Sequence, residues 1–387
     1  MTYKGTAAML MSLLFLLGIL VACNQGAPTA TLAPQTSAAT SVPIVISPTN
    51  QSVVPKAVEH FDRGRALEKQ GNQQAALDEY NSAIDIDPSY ADPYRARAGI
   101  EFALGDTTAA LDDSSRAVKL DPSNAEAYLA RGLMYHATGD FQTAIHDYDR
   151  TIELAPDNWL AYANRGIAFR DQGNLDAAMS DFDRSIELAP ENGRLYLERA
   201  IASAAQGESS AAIKDYTRSI ELLSDTSVRA FAYYNRGNAY VAQKNRDAAV
   251  EDYSQAIEIN PNYPEAYNNR ALLYRQQKKY DTALADLNHA IELNPEDGQT
   301  RYNVYFNRGL VYFDLENYDA AAEDFVRAAE IDPQSADALA YYGNIRLQQK
   351  DFRTALEYCN RALEIEPMHT LARLCRTGAN LQLSGSD

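Results

Sequence analysis

The chain has 387 residues, with 35 Lys and Arg against 53 Asp and Glu, a formal net charge of −18. That balance argues against nucleic acid and anionic lipid as main partners, and the length exceeds what one simple compact core accommodates. Tyrosine is frequent, at 25, and there are only three cysteines.

Residues 7–22 are free of charge, but a bilayer span needs about 20 apolar residues. Lys4 precedes this run and no basic residue follows before Lys56, the layout of a secretory signal peptide rather than of a held anchor. The run ends Leu20-Val21-Ala22-Cys23, which resembles the bacterial lipobox. The resemblance implies that residues 1–22 are a lipoprotein signal peptide and that the Cys23 thiol takes the lipid after cleavage beside the small Ala22. The expected location is the extracytoplasmic side of the cell membrane or outer membrane, reached through a lipid anchor. Asn24 follows the cysteine in place of the aspartate that favours inner-membrane retention in enterobacterial-type envelopes. Residues 23–56 are rich in Ala, Pro, Ser and Thr, with no charge from 24 to 55. They are expected to be a disordered tether averaging about 30 Å end to end.

From Ala57 the sequence repeats itself. "YLARGLMYHATGDFQTAIHDYDRTIELAPDN" at 128–158 returns at 162–192 as "YANRGIAFRDQGNLDAAMSDFDRSIELAPEN", an offset of 34. Nine units start at Ala57, Ala91, Ala125, Trp159, Gly193, Ala230, Pro264, Tyr302 and Ala336. The fifth carries three extra residues around "SDTSV", and four more, Gly298 to Arg301, follow the seventh. Within each unit, position 8 is Gly or Ala and position 20 is always Ala. Position 24 is mostly aromatic, as in Tyr80, Tyr148 and Phe182, and position 32 is Pro in all units but the fifth. Apolar residues three and four apart, as in "AAIKDYTRSIEL", predict helices, and proline ends the second one.

These positions resemble the tetratricopeptide repeat (TPR) family from about residue 57 to the end. The resemblance implies an all-α, right-handed superhelical solenoid of nine helix-turn-helix repeats. Repeats 1–5 would span 57–229 and repeats 6–9 would span 230–369, with a capping helix and tail at 370–387.

Position 7 is Arg and position 23 acidic in the first eight units, from Arg63 and Glu79 to Arg308 and Asp324. Pairing within a unit leaves no orphan, so eight intra-repeat ion pairs are expected, each worth about 0–1 kcal/mol if exposed. Position 6 is Asn at Asn164, Asn235, Asn269 and Asn307. In the TPR family this position faces the concave groove, where an amide can both donate to and accept from a peptide main chain. Asn238, Asn268 and Asn303 would extend that surface, with Tyr234, Leu272, Phe306, Leu310 and Phe313 as apolar pockets. Only Arg95 and Arg194 fit a carboxylate clamp, in separate repeats.

No Walker loop, G-x-S-x-G or H-E-x-x-H occurs, and the five histidines are scattered. No enzyme, cofactor or metal is expected. The expected function is a membrane-anchored scaffold for protein or peptide partners in the bacterial cell envelope. The alternative is a subunit that presents substrates to an envelope hydrolase or transferase. Cys359 and Cys375 are expected as two buried free thiols, with a disulfide as the alternative.

Overall fold

A computed structural model describes residues 53–384. Cys23 and the signal peptide lie outside the described residues. Among the described residues there are nineteen α-helices and no strand. The chain divides into two compact units at Glu191/Asn192, one repeat earlier than the grouping by sequence.

The first unit holds repeats one to four: α1 (Pro55–Lys69), α2 (Gln73–Ile86), α3 (Ala91–Ala103), α4 (Thr107–Leu120), α5 (Ala125–Ala137), α6 (Phe141–Leu154), α7 (Trp159–Asp171) and α8 (Leu175–Leu188). The second holds repeats five to nine: α9 (Gly193–Ala205), α10 (Ser209–Leu222), α11 (Thr226–Ala242), α12 (Arg246–Ile259), α13 (Pro264–Gln276), α14 (Tyr280–Glu292), α15 (Gly298–Asp314), α16 (Tyr318–Ile331), α17 (Ala336–Gln348) and α18 (Phe352–Ile365). A final helix, α19 (Thr370–Ser384), follows. Inside each unit every helix packs on the one before it and the one after it. This is a solenoid, in which a helix pair buries its apolar face only by stacking on the next. The extra residues of the fifth unit and those after the seventh form no loop. They add a turn to α11 and α15, each 17 residues long.

The small residue at position 8 is explained by the plug at position 24. A Cβ built on Gly132 would stand 2.7 Å from the Tyr148 ring, and one on Gly64 2.4 Å from the Tyr80 ring. Where the plug is Ser114 or Leu287, position 8 is Ala98 or Ala271, and in repeat five Ala200 shares a cluster with the plug Tyr216.

The free-thiol expectation for the last repeat is corrected. Cys359 and Cys375 form a disulfide across α18 and α19, with Cα atoms 6.2 Å apart. The small position 8 of that repeat, Gly343, lets Cys359 sit at the plug site, and α19 closes on it with Cys375 in the same apolar cluster.

Candidate functional site

The arginine at position 7 knits the first eight repeats together, and Arg97, Arg165, Arg236, Arg270 and Arg308 also reach the preceding repeat of their own unit. Arg131 Nε and Nη2 each donate to Asp147 at 2.7 Å. The same two-pronged pair joins Arg165 to Asp181, Arg236 to Asp252, Arg270 to Asp286 and Arg308 to Asp324. These are not exposed pairs, because Asp147 is 0% and Asp324 1% exposed. The remaining Nη1 donates sixteen or more residues back: Arg165 to Asp149, Arg270 to Ser254 and Arg308 to Asn288. In repeats two to eight a tyrosine three residues earlier faces the guanidinium, as Tyr162 does Arg165 at 5.7 Å. These rungs hold the helices that present the candidate groove side chains.

The four position-6 asparagines do not act alike. Asn164, in the first unit, is buried and donates to Leu160 O at 2.8 Å. Asn235 turns back the same way, onto Phe231 O. Asn269 instead reaches the preceding repeat, donating to Tyr234 Oη at 3.2 Å and Asn238 Oδ1 at 3.1 Å. Asn307 also reaches back, donating to Asn268 Oδ1 at 2.8 Å. Asn268 donates to Asn269 Oδ1 at 3.2 Å, and Tyr253 Oη donates to Asn238 Oδ1 at 2.8 Å. One continuous amide chain therefore crosses repeats six to eight. Asn268 and Asn307 are buried in it, whereas Asn238 and Asn269 are half-buried. Asn238 has its oxygen held by two donors, and its amide also hydrogen-bonds the Tyr234 hydroxyl. Asn303 stands apart, accepting from Gln299.

Aromatic residues flank this chain at both ends. Tyr234 packs on Tyr253 and Tyr263, with ring centroids 5.9 and 4.9 Å away. Burial raises the hydroxyl pKa of Tyr234 and drives that of Tyr263 well above its ordinary range. At the other end Phe306 and Phe313 both pack edge-on against Tyr341, at 5.8 and 5.7 Å. Phe306 also stacks on Tyr302. Leu310 is buried in that cluster. The sequence reading had Tyr253 only as a position-24 plug and missed Tyr263 and Tyr341. The signal was present for Tyr341, which occupies position 6 of the ninth repeat.

Arg95 pairs with Glu126 of the next repeat at 3.4 Å and Arg194 with Asp225 at 3.3 Å, so neither is an unpaired cation for a carboxylate. Among the described residues no three His, Cys, Asp or Glu side chains are placed to hold a metal ion.

Three solved structures are similar in fold. The Cut9–Hcn1 hetero-tetramer of the APC/C matches with TM-score 0.51 and 17% identity, over 86% of this chain and 78% of that one. Pseudomonas aeruginosa pilF matches with TM-score 0.49 and 18% identity, over 58% and 97%. YrrB, described as a TPR protein with an unusual peptide-binding site, matches with TM-score 0.41 and 23% identity, over 52% and 97%. No curated protein matches the sequence. Family models described as "TPR repeat" match residues 98–139 and 237–278. Models described as "Tetratricopeptide repeat" match 60–91, 137–192, 163–225, 264–297 and 306–367. Together with the stacked helix pairs and the small-residue and plug positions inside them, these matches place the chain in the tetratricopeptide repeat family.

Proposed function

We propose that this TPR scaffold for protein–protein interaction grips an extended peptide along repeats six to eight, and that it does so as a lipid-anchored protein of a bacterial envelope. The observation that carries the peptide reading is the Asn238 amide. Its Oδ1 is fixed by Tyr253 and Asn269, which orients a half-buried Nδ2 whose two protons exceed the one that the Tyr234 hydroxyl can take. A donor oriented in this way suits a main-chain carbonyl, present in every peptide, and makes little demand on sequence. The half-buried rings of Tyr234, Phe306 and Phe313 would then select apolar side chains.

The envelope reading rests on residues 1–23 and draws support from the Cys359–Cys375 disulfide, since such bonds persist in oxidising compartments and are rare in a reducing cytosol. No helix among the described residues is long and apolar enough to cross a membrane.

Asn238→Asp tests the peptide reading. It keeps both acceptor bonds and removes the donor, whereas alanine at Asn269 or Asn307 would orphan their buried partners. Peptides selected by display on the wild type should bind Asn238→Asp about tenfold more weakly, a loss of the size of one hydrogen bond. Helicity and melting should stay close to wild type. Unchanged affinity would show that peptides are held elsewhere.

A further inference from the structure

Three pairs of positions join the first helix of a repeat to its second. Position 5 meets the plug at position 24, as Tyr234 meets Tyr253 and Phe306 meets Phe325. Position 7 offers its arginine to the carboxylate at position 23, as Arg270 does to Asp286. Position 12 meets position 17, as His136 meets Phe141 and Phe313 meets Tyr318.

The last helix, α19, keeps this register. Thr370 stands 34 residues after Ala336, the first residue of repeat nine. Its positions 3, 6 and 10 are Ala372, Cys375 and Ala379, all buried in the cluster of repeat nine. Its positions 5, 7 and 12 are then Leu374, Arg376 and Leu381. Leu374 is 67% and Leu381 66% exposed. Arg376 is exposed and makes no ion pair among the described residues. All three are the first-helix halves of the pairs above, and among the described residues no second helix covers them. The helix carries Arg373 and Arg376 and no acidic residue, in a chain of net charge −18.

We propose that α19 is the open half of a tenth repeat and that it docks an acidic amphipathic helix of a partner protein. The register specifies the chemistry of that helix. It bears an Asp or Glu opposite Arg376, followed at once by a residue that meets Leu374, with an apolar residue two turns earlier to meet Leu381. The residue after the acid is small or aliphatic. Thr377 stands at position 8, where a side chain would collide with a ring, as the 2.4–3.0 Å approaches at Gly64, Gly132 and Gly309 show. A second copy's α19 would bring the same two arginines and no acid, so like charge opposes that pairing.

A synthetic peptide of residues 280–293 has this pattern, with Tyr280, Asp286 and Leu287 at positions 17, 23 and 24. It should bind the full chain saturably, read by fluorescence anisotropy. Arg376→Glu should weaken binding about tenfold, and the same peptide carrying Asp286→Lys should recover affinity for that variant. Leu374→Asp should also weaken it. Both positions are exposed, so melting should hold, and recovery by the swapped charge separates a lost contact from a damaged fold. Equal binding by wild type and Arg376→Glu, or none by either, overturns the proposal. So does self-association in sedimentation that Leu374→Asp abolishes, which would assign the face to a second copy. Binding to phosphatidylcholine–phosphatidylserine vesicles that Arg376→Glu abolishes, without peptide binding, would assign it to a lipid surface instead.

Discussion

Arg97 serves two carboxyl groups and satisfies one. Its Nε and Nη2 donate to Asp113 at 2.5 and 2.8 Å, while Glu101 Oε1 lies 3.7 Å from Nε. Glu101 Oε2 is buried and has no hydrogen-bond partner. In five other repeats the residue at this position is an aromatic ring over the same guanidinium, as Tyr135 is over Arg131 at 5.9 Å. Burial, then the charge of Asp113, pushes the Glu101 carboxyl up to about 7, against the pull of Arg97. Unfolded, it titrates near 4.3, about the model-peptide value. The folded state therefore holds this proton more tightly than the unfolded state does. Its contribution to stability is greatest below about pH 4.5, declines as pH rises to about 7, and is flat above. Glu101→Gln removes the charge and keeps the shape. It should raise stability by about 1–2 kcal/mol at pH 8 and by little at pH 4.5, read from urea midpoints at the two pH values. An equal gain at both would show that the ionised carboxylate is not strained.

At the scale of the element, the turn between the two helices of a repeat has one fixed backbone requirement. Position 15 is left-handed in all nine repeats. Repeats one to five meet it with glycine, from Gly71 at φ 78° to Gly207 at φ 85°. Repeats six to nine use Lys244, Lys278, Glu316 and Lys350, at φ 58–63°. The conformation is imposed by the bonds that end the first helix, as when Lys278 N donates to Arg275 O and Lys279 N to Tyr274 O, both at 2.9 Å. The next residue commonly caps the second helix, as Asn72 and Asp140 do. A Cβ in this region costs about 1–2 kcal/mol, partly offset by the greater unfolded entropy of glycine. Lys278→Gly or Lys350→Gly should therefore stabilise the protein by about 0.5–1 kcal/mol, moving the denaturant midpoint without changing the slope. A loss of stability in both would mean that these lysine side chains make compensating contacts.

Across the whole molecule, what was legible followed from the period. Nine copies of one spacing set the helix pairs, the plug contacts and the Arg–Asp rungs, because each depends on residues inside a single repeat. The asparagine surface was less legible because it depends on the repeat before. Asn269 and Asn307 reach back because the preceding repeat offers polar residues at positions 5 or 9, namely Tyr234 and Asn238, or Asn268. Behind Asn164 those positions are the buried Leu129 and Leu133, and behind Asn235 they are Leu197 and Ile201, so both amides turn back on their own helix. The disulfide was undecided for a related reason, since spacing alone left the approach of α19 open. Such a chain is stabilised by nearest-neighbour terms, and a change at its end should fade with distance. Reducing Cys359–Cys375, whose partners are 16 residues apart, should cost about 3 kcal/mol by loop-closure entropy. Hydrogen exchange after reduction should show protection lost most in α19 and α18, less in α17 and α16, and unchanged in α11 and α12. Uniform loss through α9–α18 would mean that the second unit unfolds as one cooperative block, with the bridge acting on all of it.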